Sequence, residues 1–151
     1  MASLVDLTAL LEAERGLAVV ATTRADRSVQ ASVVNVGVLT HPLRPEPVVA
    51  FVARGDAVKL QHLRRDPHAT VVARSGWQWV TVEGRAELAG PDDSLADLGS
   101  DTVPQLLREV FRAAGGDHDD WATYDRVMAE ERRVAVLVTP TRVYSNQPAG
   151  S

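Results

Sequence analysis

Apolar positions in this chain come in short β-branched bursts, not in long helical stripes. Valine occurs 23 times, and its runs are bounded by the Gly, Pro, Asp and Ser residues that punctuate strands. The bursts fall at 17–23 (LAVVATT), 28–39 (SVQASVVNVGVL), 47–53 (PVVAFVA), 68–74 (HATVVAR), 77–88 (WQWVTVEGRAEL) and 133–139 (RVAVLVT). Six strands are predicted, with hairpin turns at 24–27 and 74–76. Two strands alternate visibly, because successive strand side chains point to opposite faces. Val29, Ala31, Val33 and Asn35 share one face of the second; Gln30, Ser32, Val34 and Val36 share the other. In the fifth, Trp77, Trp79, Thr81 and Glu83 oppose Gln78, Val80 and Val82. Neither strand has a wholly polar face. Both faces should therefore meet protein or ligand, as in a closed barrel whose outer wall packs on something else.

Helical spacing appears between the bursts. Residues 3–14 open with Ser3 and Asp6 in an S-x-x-D capping pattern and align Leu4, Leu7, Leu10 and Leu11. Residues 56–65 predict a short helix closed by Asp66-Pro67. Residues 102–114 align Leu106, Leu107, Val110, Phe111 and Ala114 and stop at Gly115-Gly116. A last helix over 120–131 carries Trp121, Tyr124 and Met128. The acidic stretch 90–101 reads as a mobile loop. Regular strand–helix alternation is absent, so the fold expected is mostly β with helical decorations: one antiparallel barrel domain over residues 1–151.

Composition excludes more than it assigns. The formal net charge is −4 and the pI about 5.5, so no global field favours nucleic acid or an anionic membrane. With no cysteine there is no disulfide, thiolate metal site or cysteine nucleophile. The N-terminus lacks a signal-peptide pattern, and no apolar run approaches the ~18–20 residues of a membrane span, so a cytoplasmic protein is expected. His41, His62, His68 and His118 show no metal-ligand spacing. The GDHDDW stretch (116–121) reads as an acidic helix start. There is no G-x-S-x-G elbow, P-loop or G-x-G-x-x-G, and no catalytic residue can be assigned.

Charge changes the picture at one place. Of the 16 Lys and Arg residues 15 are arginine, and Lys59 is the single lysine. With Asp56 as N-cap, Lys59 is the third residue of the helix, where the dipole disfavours a cation by up to ~1 kcal/mol. Arg64 and Arg65 fall in the last turn, where the dipole favours them. An anion at this helix start would gather backbone amides, the dipole and Lys59, with Arg54 adding charge and Gly55 close approach. Alternatively, Asp56 caps the helix and Lys59 pairs with it or points to water. Trp77 and Trp79 either pack in a core or interface, or offer a platform to a flat heteroaromatic ring. Gln30 and Ser32, polar on an apolar strand, either bond a ligand ring edge or face solvent.

Taken in order, the LAVVATTRADRSVQASVV hairpin, K-x-x-x-L-R-R-D-P-x-x-x-V, GW-x-x-V-x-x-EG-x-A-x-L, DW-x-x-Y-x-x-x-M and the closing RRVAVLVTPTRVYS resemble a known superfamily. It is that of the flavin/deazaflavin oxidoreductases with the pyridoxamine 5′-phosphate oxidase-like fold, the FMN-binding split barrel. The likeness is greatest to the actinobacterial B-type branch, which uses coenzyme F420. The resemblance implies a six-stranded antiparallel split β-barrel and a homodimer with the cofactor at the subunit interface. It places Lys59 on the cofactor phosphate and Gln30, Ser32, Val33, Val52, Ala53 and Arg54 along the ring and its tail. Trp77, Trp79 and the VYS segment would lie near the pocket, partly from the partner subunit. It further implies hydride transfer from a reduced deazaflavin to a small conjugated substrate, or the same chemistry with FMN. A protein that holds F420 or a tetrapyrrole without turnover, or one whose groove is vacant, is the non-enzymatic alternative. Two positions depart from the pattern: relatives often carry arginine where this chain has Ala57, and glycine where it has Ser145.

Overall fold

The computed structural model describes residues 2–146. The valine bursts become β1 (Leu17–Thr23), β2 (Val29–Asn35), β3 (Gly37–Thr40), β4 (Pro47–Ala53), β5 (His68–Ser75), β6 (Gln78–Ala89) and β7 (Val134–Ser145). Four α-helices accompany them among the described residues: α1 (Leu4–Ala13), α2 (Val58–Arg65), α3 (Val103–Ala113) and α4 (Trp121–Glu130). All strand pairs are antiparallel, in the order β2-β1-β5-β6-β7-β4-β3. β2, at one edge, also approaches β4 near the other, which rolls the sheet into a split barrel.

The expected six strands are seven because residues 28–39 serve two neighbours. β2 pairs with β1, the chain bends at fully buried Val36, and β3 pairs with β4. The Val36 N–H leaves the ladder and donates to the Gly16 carbonyl at 2.8 Å. Gly37 then passes so close to α3 that a Cβ would run into the Ala113 backbone. The closing strand also outruns its expected end at 139. Proline interrupts a ladder but is tolerated at a bulge, and the register shift at Glu83/Gly84 places Pro140 opposite Gly84. Thr141 Oγ1 donates to the Glu83 carbonyl at 3.1 Å, and pairing resumes from Arg142 to Ser145.

Two apolar layers explain which strands alternate. Inside the barrel, Val20, Val49, Phe51, Val71, Val82, Val136 and Val138 meet Leu7, Leu10 and Leu11 of α1 and Leu60 and Leu63 of α2. On the other side of β4 and β7, Val48, Ala50, Ala135 and Leu137 pack on Leu106, Leu107 and Val110 of α3 and Tyr124 of α4. These two strands are covered on both faces and read as continuous apolar runs. β1 and β2 are covered only on the inner face.

The 90–101 stretch is tied down. Gly90 and Asp93 exchange backbone hydrogen bonds, Arg64 grips Asp93 through two bonds of 2.8 and 2.7 Å, and Arg132 pairs with Asp92. Arg64 thus has a partner beyond the helix dipole, and Arg65 donates to the Thr23 carbonyl at 2.8 Å. The β3–β4 turn is clasped by His41, whose side chain is buried. Its Nδ1 accepts from the Leu43 N–H at 3.1 Å, so Nε2–H donates to Glu87 at 3.0 Å. Arg44 donates to the same carboxylate oxygen at 2.8 Å.

Burial pushes the Glu87 carboxyl up, but the hydrogen bonds from Arg44 and His41 outweigh it and hold it below the ordinary carboxylate value. A carboxyl lowered on folding adds stability above its unfolded pKa, and that contribution is lost as pH falls through the folded value. Glu87→Gln is therefore expected to cost about 1–2 kcal/mol at pH 7, with the difference from wild type closing in acid. Urea unfolding at pH 7 and pH 3 reads this; an unchanged difference would assign the clasp no ionic part.

Candidate functional site: the α2 start and the inner face of β2

The helix carrying Lys59 begins one residue later than the sequence suggests. Ala57 is the N-cap and supplies no side-chain cap, while Asp56 instead pairs with Arg54 at 3.4 Å. Lys59 is thus the second helical residue. Its ammonium makes no hydrogen bond or ion pair with any described residue, and burial lowers its pKa. Nor do the backbone amides of Val58 and Lys59 have an acceptor among the described residues. Two open amides, a dipole and a partly desolvated, unpaired cation are the features that would suit an anion. Arg54 is engaged elsewhere, by Asp56 and by Glu131 at 3.6 Å.

His62, one turn after Lys59 on the same side of α2, anchors the helix to β1. Its Nδ1 lies 2.9 Å from Thr22 Oγ1, with both residues buried. Nothing along the chain marks this clamp, because its two partners are 40 residues apart. Thr22 is the Cα partner of Gln30 in the β1–β2 ladder, and Val20 the partner of Ser32. This register sets the inner face of β2 beside the α2 end of the barrel. Two atoms there stand out: Gln30 Oε1 and Ser32 Oγ are buried and make no hydrogen bond with any described residue. A buried polar atom without a partner costs about 1–3 kcal/mol. Two of them, two residues apart on one strand face, form a row waiting for a polar edge.

The other expected residues divide between surfaces. Ala53 turns its methyl into the interior cluster, and Val52, on the opposite face of β4, borders the α3–α4 side. Val33 points outward and is 64% exposed. The expectation that Trp77 and Trp79 share a strand face fails. Residue 77 falls in the turn that Gly76 makes with φ 59°, before β6 starts at Gln78, and the residue is 94% exposed. Trp79 does lie on β6, edge-on to Tyr144 with ring centroids 6.0 Å apart. Asn146 bridges this end by donating to the Trp77 carbonyl and accepting from the Trp79 backbone N–H. Tyr144 donates to Glu83 at 2.6 Å, a bond that raises its pKa.

Register settles the faces. Val33, Val19, Val72, Thr81 and Tyr144 are successive Cα partners across five strands and form one outer row. Trp79, paired with Arg74, is also on this outer face, whereas Gln30 and Ser32 point inward. Within one copy, the sheet itself separates the aromatic pair from the orphaned polar row. The outer surface of β1 and β2 is apolar and open, with Leu17, Val19, Val29 and Val33 all exposed.

Comparison with known proteins agrees with this architecture. Residues 6–147 match the family model of pyridoxamine 5′-phosphate oxidase. The chain belongs to that family, the class of split-barrel proteins its sheet and flanking helices define. Solved structures of like fold include the conserved hypothetical protein Rv2991 of Mycobacterium tuberculosis, 18% identical, with all of this chain and 92% of that one covered at a TM-score of 0.67. An F420 reductase is 16% identical over 85% of this chain and 88% of its own, at a TM-score of 0.57. A pyridoxamine 5′-phosphate oxidase-related, FMN-binding protein of Nostoc punctiforme is 11% identical over 94% and 81%, at 0.61. At these identities the likeness is one of fold. Among the described residues, no helix is long and apolar enough to cross a membrane.

Proposed function

We propose that this protein is an oxidoreductase that binds coenzyme F420 along the inner face of β2, with a phosphate at the start of α2. Its reaction is hydride transfer to a small conjugated substrate. The observation that carries the reading is the orphaned pair Gln30 Oε1 and Ser32 Oγ. The polar edge of a flat heterocycle supplies the donors and acceptors they lack. Lys59 and the free amides of α2 hold the phosphate, and the Thr22–His62 bond fixes the helix that presents them. When bound, the deazaflavin supplies the hydride; the chain supplies position, polar contacts and a site shielded from water. A side-chain nucleophile or acid pair is not required by such chemistry.

The working form is a homodimer. The open apolar face of β1 and β2 is the surface a second copy covers, and that copy brings its Trp79 and Tyr144 toward the groove. Loss of an arginine at Ala57 leaves Lys59 as the main phosphate cation, since Arg54 is paired with two carboxylates.

FMN in the same groove is the second reading, because the polar edge of its ring satisfies Gln30 and Ser32 as well. Fluorescence titration of the purified protein with F420 and with FMN separates the two. Micromolar or tighter binding of F420 is expected; binding of FMN alone would overturn the deazaflavin assignment, and binding of neither would overturn both. Gln30→Leu should weaken F420 binding about tenfold through loss of one hydrogen bond to the ring. Turnover of a substrate panel by the loaded protein distinguishes an enzyme from a carrier.

A further inference from the structure

Beyond the polar row of β2 the split barrel opens into a recess. A cavity of about 460 Å³ lies between the edge of β2, strand β4 and the α3–α4 pair. This volume is within the roughly 300–1,000 Å³ of small-molecule pockets. Val34 and Val52 form its sheet side; Val110, Phe111 and Met128 form its helical side. Phe111 and Tyr124 stack obliquely, with centroids 5.0 Å apart. The phenol is already committed, donating to the Leu107 carbonyl at 3.1 Å. Gly116 keeps the wall in place, since a Cβ there would strike the Phe111 ring. The recess is therefore apolar and aromatic on two opposed sides.

Its polar groups are unequal. Arg133 is held by Glu131 through bonds of 3.1 and 3.0 Å. Arg15, at the other end, has no hydrogen bond or ion pair from its guanidinium to any described residue. Its backbone is nonetheless fixed: φ is 58°, and its carbonyl accepts from Asn35 Nδ2 at 3.0 Å. A free cation on an anchored root, at the mouth of an apolar slot, selects a flat apolar molecule bearing one anionic group.

We propose that this slot is a second small-molecule site, taking planar aromatic carboxylates, with Arg15 pairing the carboxylate. Val34 lies two residues beyond Ser32 on the same strand face, a step of about 7 Å. The slot thus begins one step along the strand from the polar row. The bound molecule's role as hydride acceptor rests on the redox reading; the slot's occupancy does not.

The test uses the full chain, ¹⁵N-labelled and free of cofactor, titrated with 2-naphthoate and with 2-naphthamide. Amide shift changes are expected to centre on Asn35, Gly115 and Gly116, with the acid binding about tenfold more tightly than the amide. Arg15→Ala should remove that preference, bringing naphthoate affinity down to that of naphthamide. Shifts centred elsewhere, no binding at millimolar probe, equal affinities, or a preference that survives in Arg15→Ala would each overturn the proposal. Titrating the same sample with F420 keeps the two readings apart. Naphthoate in the slot without F420 binding would sink the deazaflavin reading alone, and the converse would sink the slot alone.

Discussion

Lys59→Ala is expected to weaken F420 binding by about 1.5–3 kcal/mol, roughly 10- to 150-fold, while leaving the fold intact. The magnitude follows from a charge-assisted hydrogen bond to phosphate in a partly desolvated site, where no other free cation stands in. Arg54 is not a substitute, being paired with Asp56 and Glu131. Nor should removal destabilise the free protein, because the ammonium gives up no protein partner and sits at the unfavourable end of the helix dipole. Alanine at this position is predicted to raise the midpoint of thermal unfolding slightly while reducing affinity. That opposition separates a ligand contact from a structural one. Lys59→Arg should recover part of the affinity, since charge returns with a different geometry. As the single lysine in the chain, its amine can also be acetylated and read by mass spectrometry without interference from other lysines. F420 should protect it. Unchanged affinity in Lys59→Ala, or labelling unaffected by coenzyme, would place the phosphate elsewhere.

How far the sequence led depends on what kind of information each feature carries. Valine alternation at 29–35 is local and came through intact, down to which residues share a face. The split at Val36 is not local: it exists because Gly16 offers a carbonyl and α3 presses on Gly37, and neither is visible along the chain. The last strand outran its expected end at 139 because the bulge that accommodates Pro140 needs Glu83 and Gly84 from another strand. Asp56 looked like an N-cap by residue type, yet Arg54 draws its carboxylate away, and the helix starts without a side-chain cap. Trp77 followed the period of β6 by one residue too many, because the tight turn at Gly76 takes it out of the strand. For the site, residue type singled out Lys59, Gln30 and Ser32. What makes them informative is the absence of partners, a property of three dimensions. The α3–α4 slot had no signal, since its apolar residues read equally well as core.

Val33→Asp should convert the protein from a dimer of twice 16.3 kDa to a monomer of 16.3 kDa, and cofactor binding should fall with it. In one copy Val33 is 64% exposed on the edge strand, so a carboxylate there meets water and the barrel remains folded. In the dimer each copy would carry an unpaired charge into an apolar contact. That costs several kcal/mol, enough to raise the dissociation constant by at least about 100-fold. The outer row explains the reach of the effect: Val33, Val19 and Val72 continue through Thr81 to Tyr144. The face proposed to dock a partner is therefore in register with the aromatic end that partner would bring to the groove. Sedimentation velocity gives the mass, and far-UV circular dichroism with urea unfolding shows whether the monomer is native. Val33→Thr, which keeps the branched shape without a charge, should remain dimeric. A wild-type monomer would remove the partner from the site. A Val33→Asp dimer with normal F420 affinity would move the interface off this face. A folded monomer that still binds F420 at full strength would leave Gln30, Ser32 and Lys59 as a complete site in one copy.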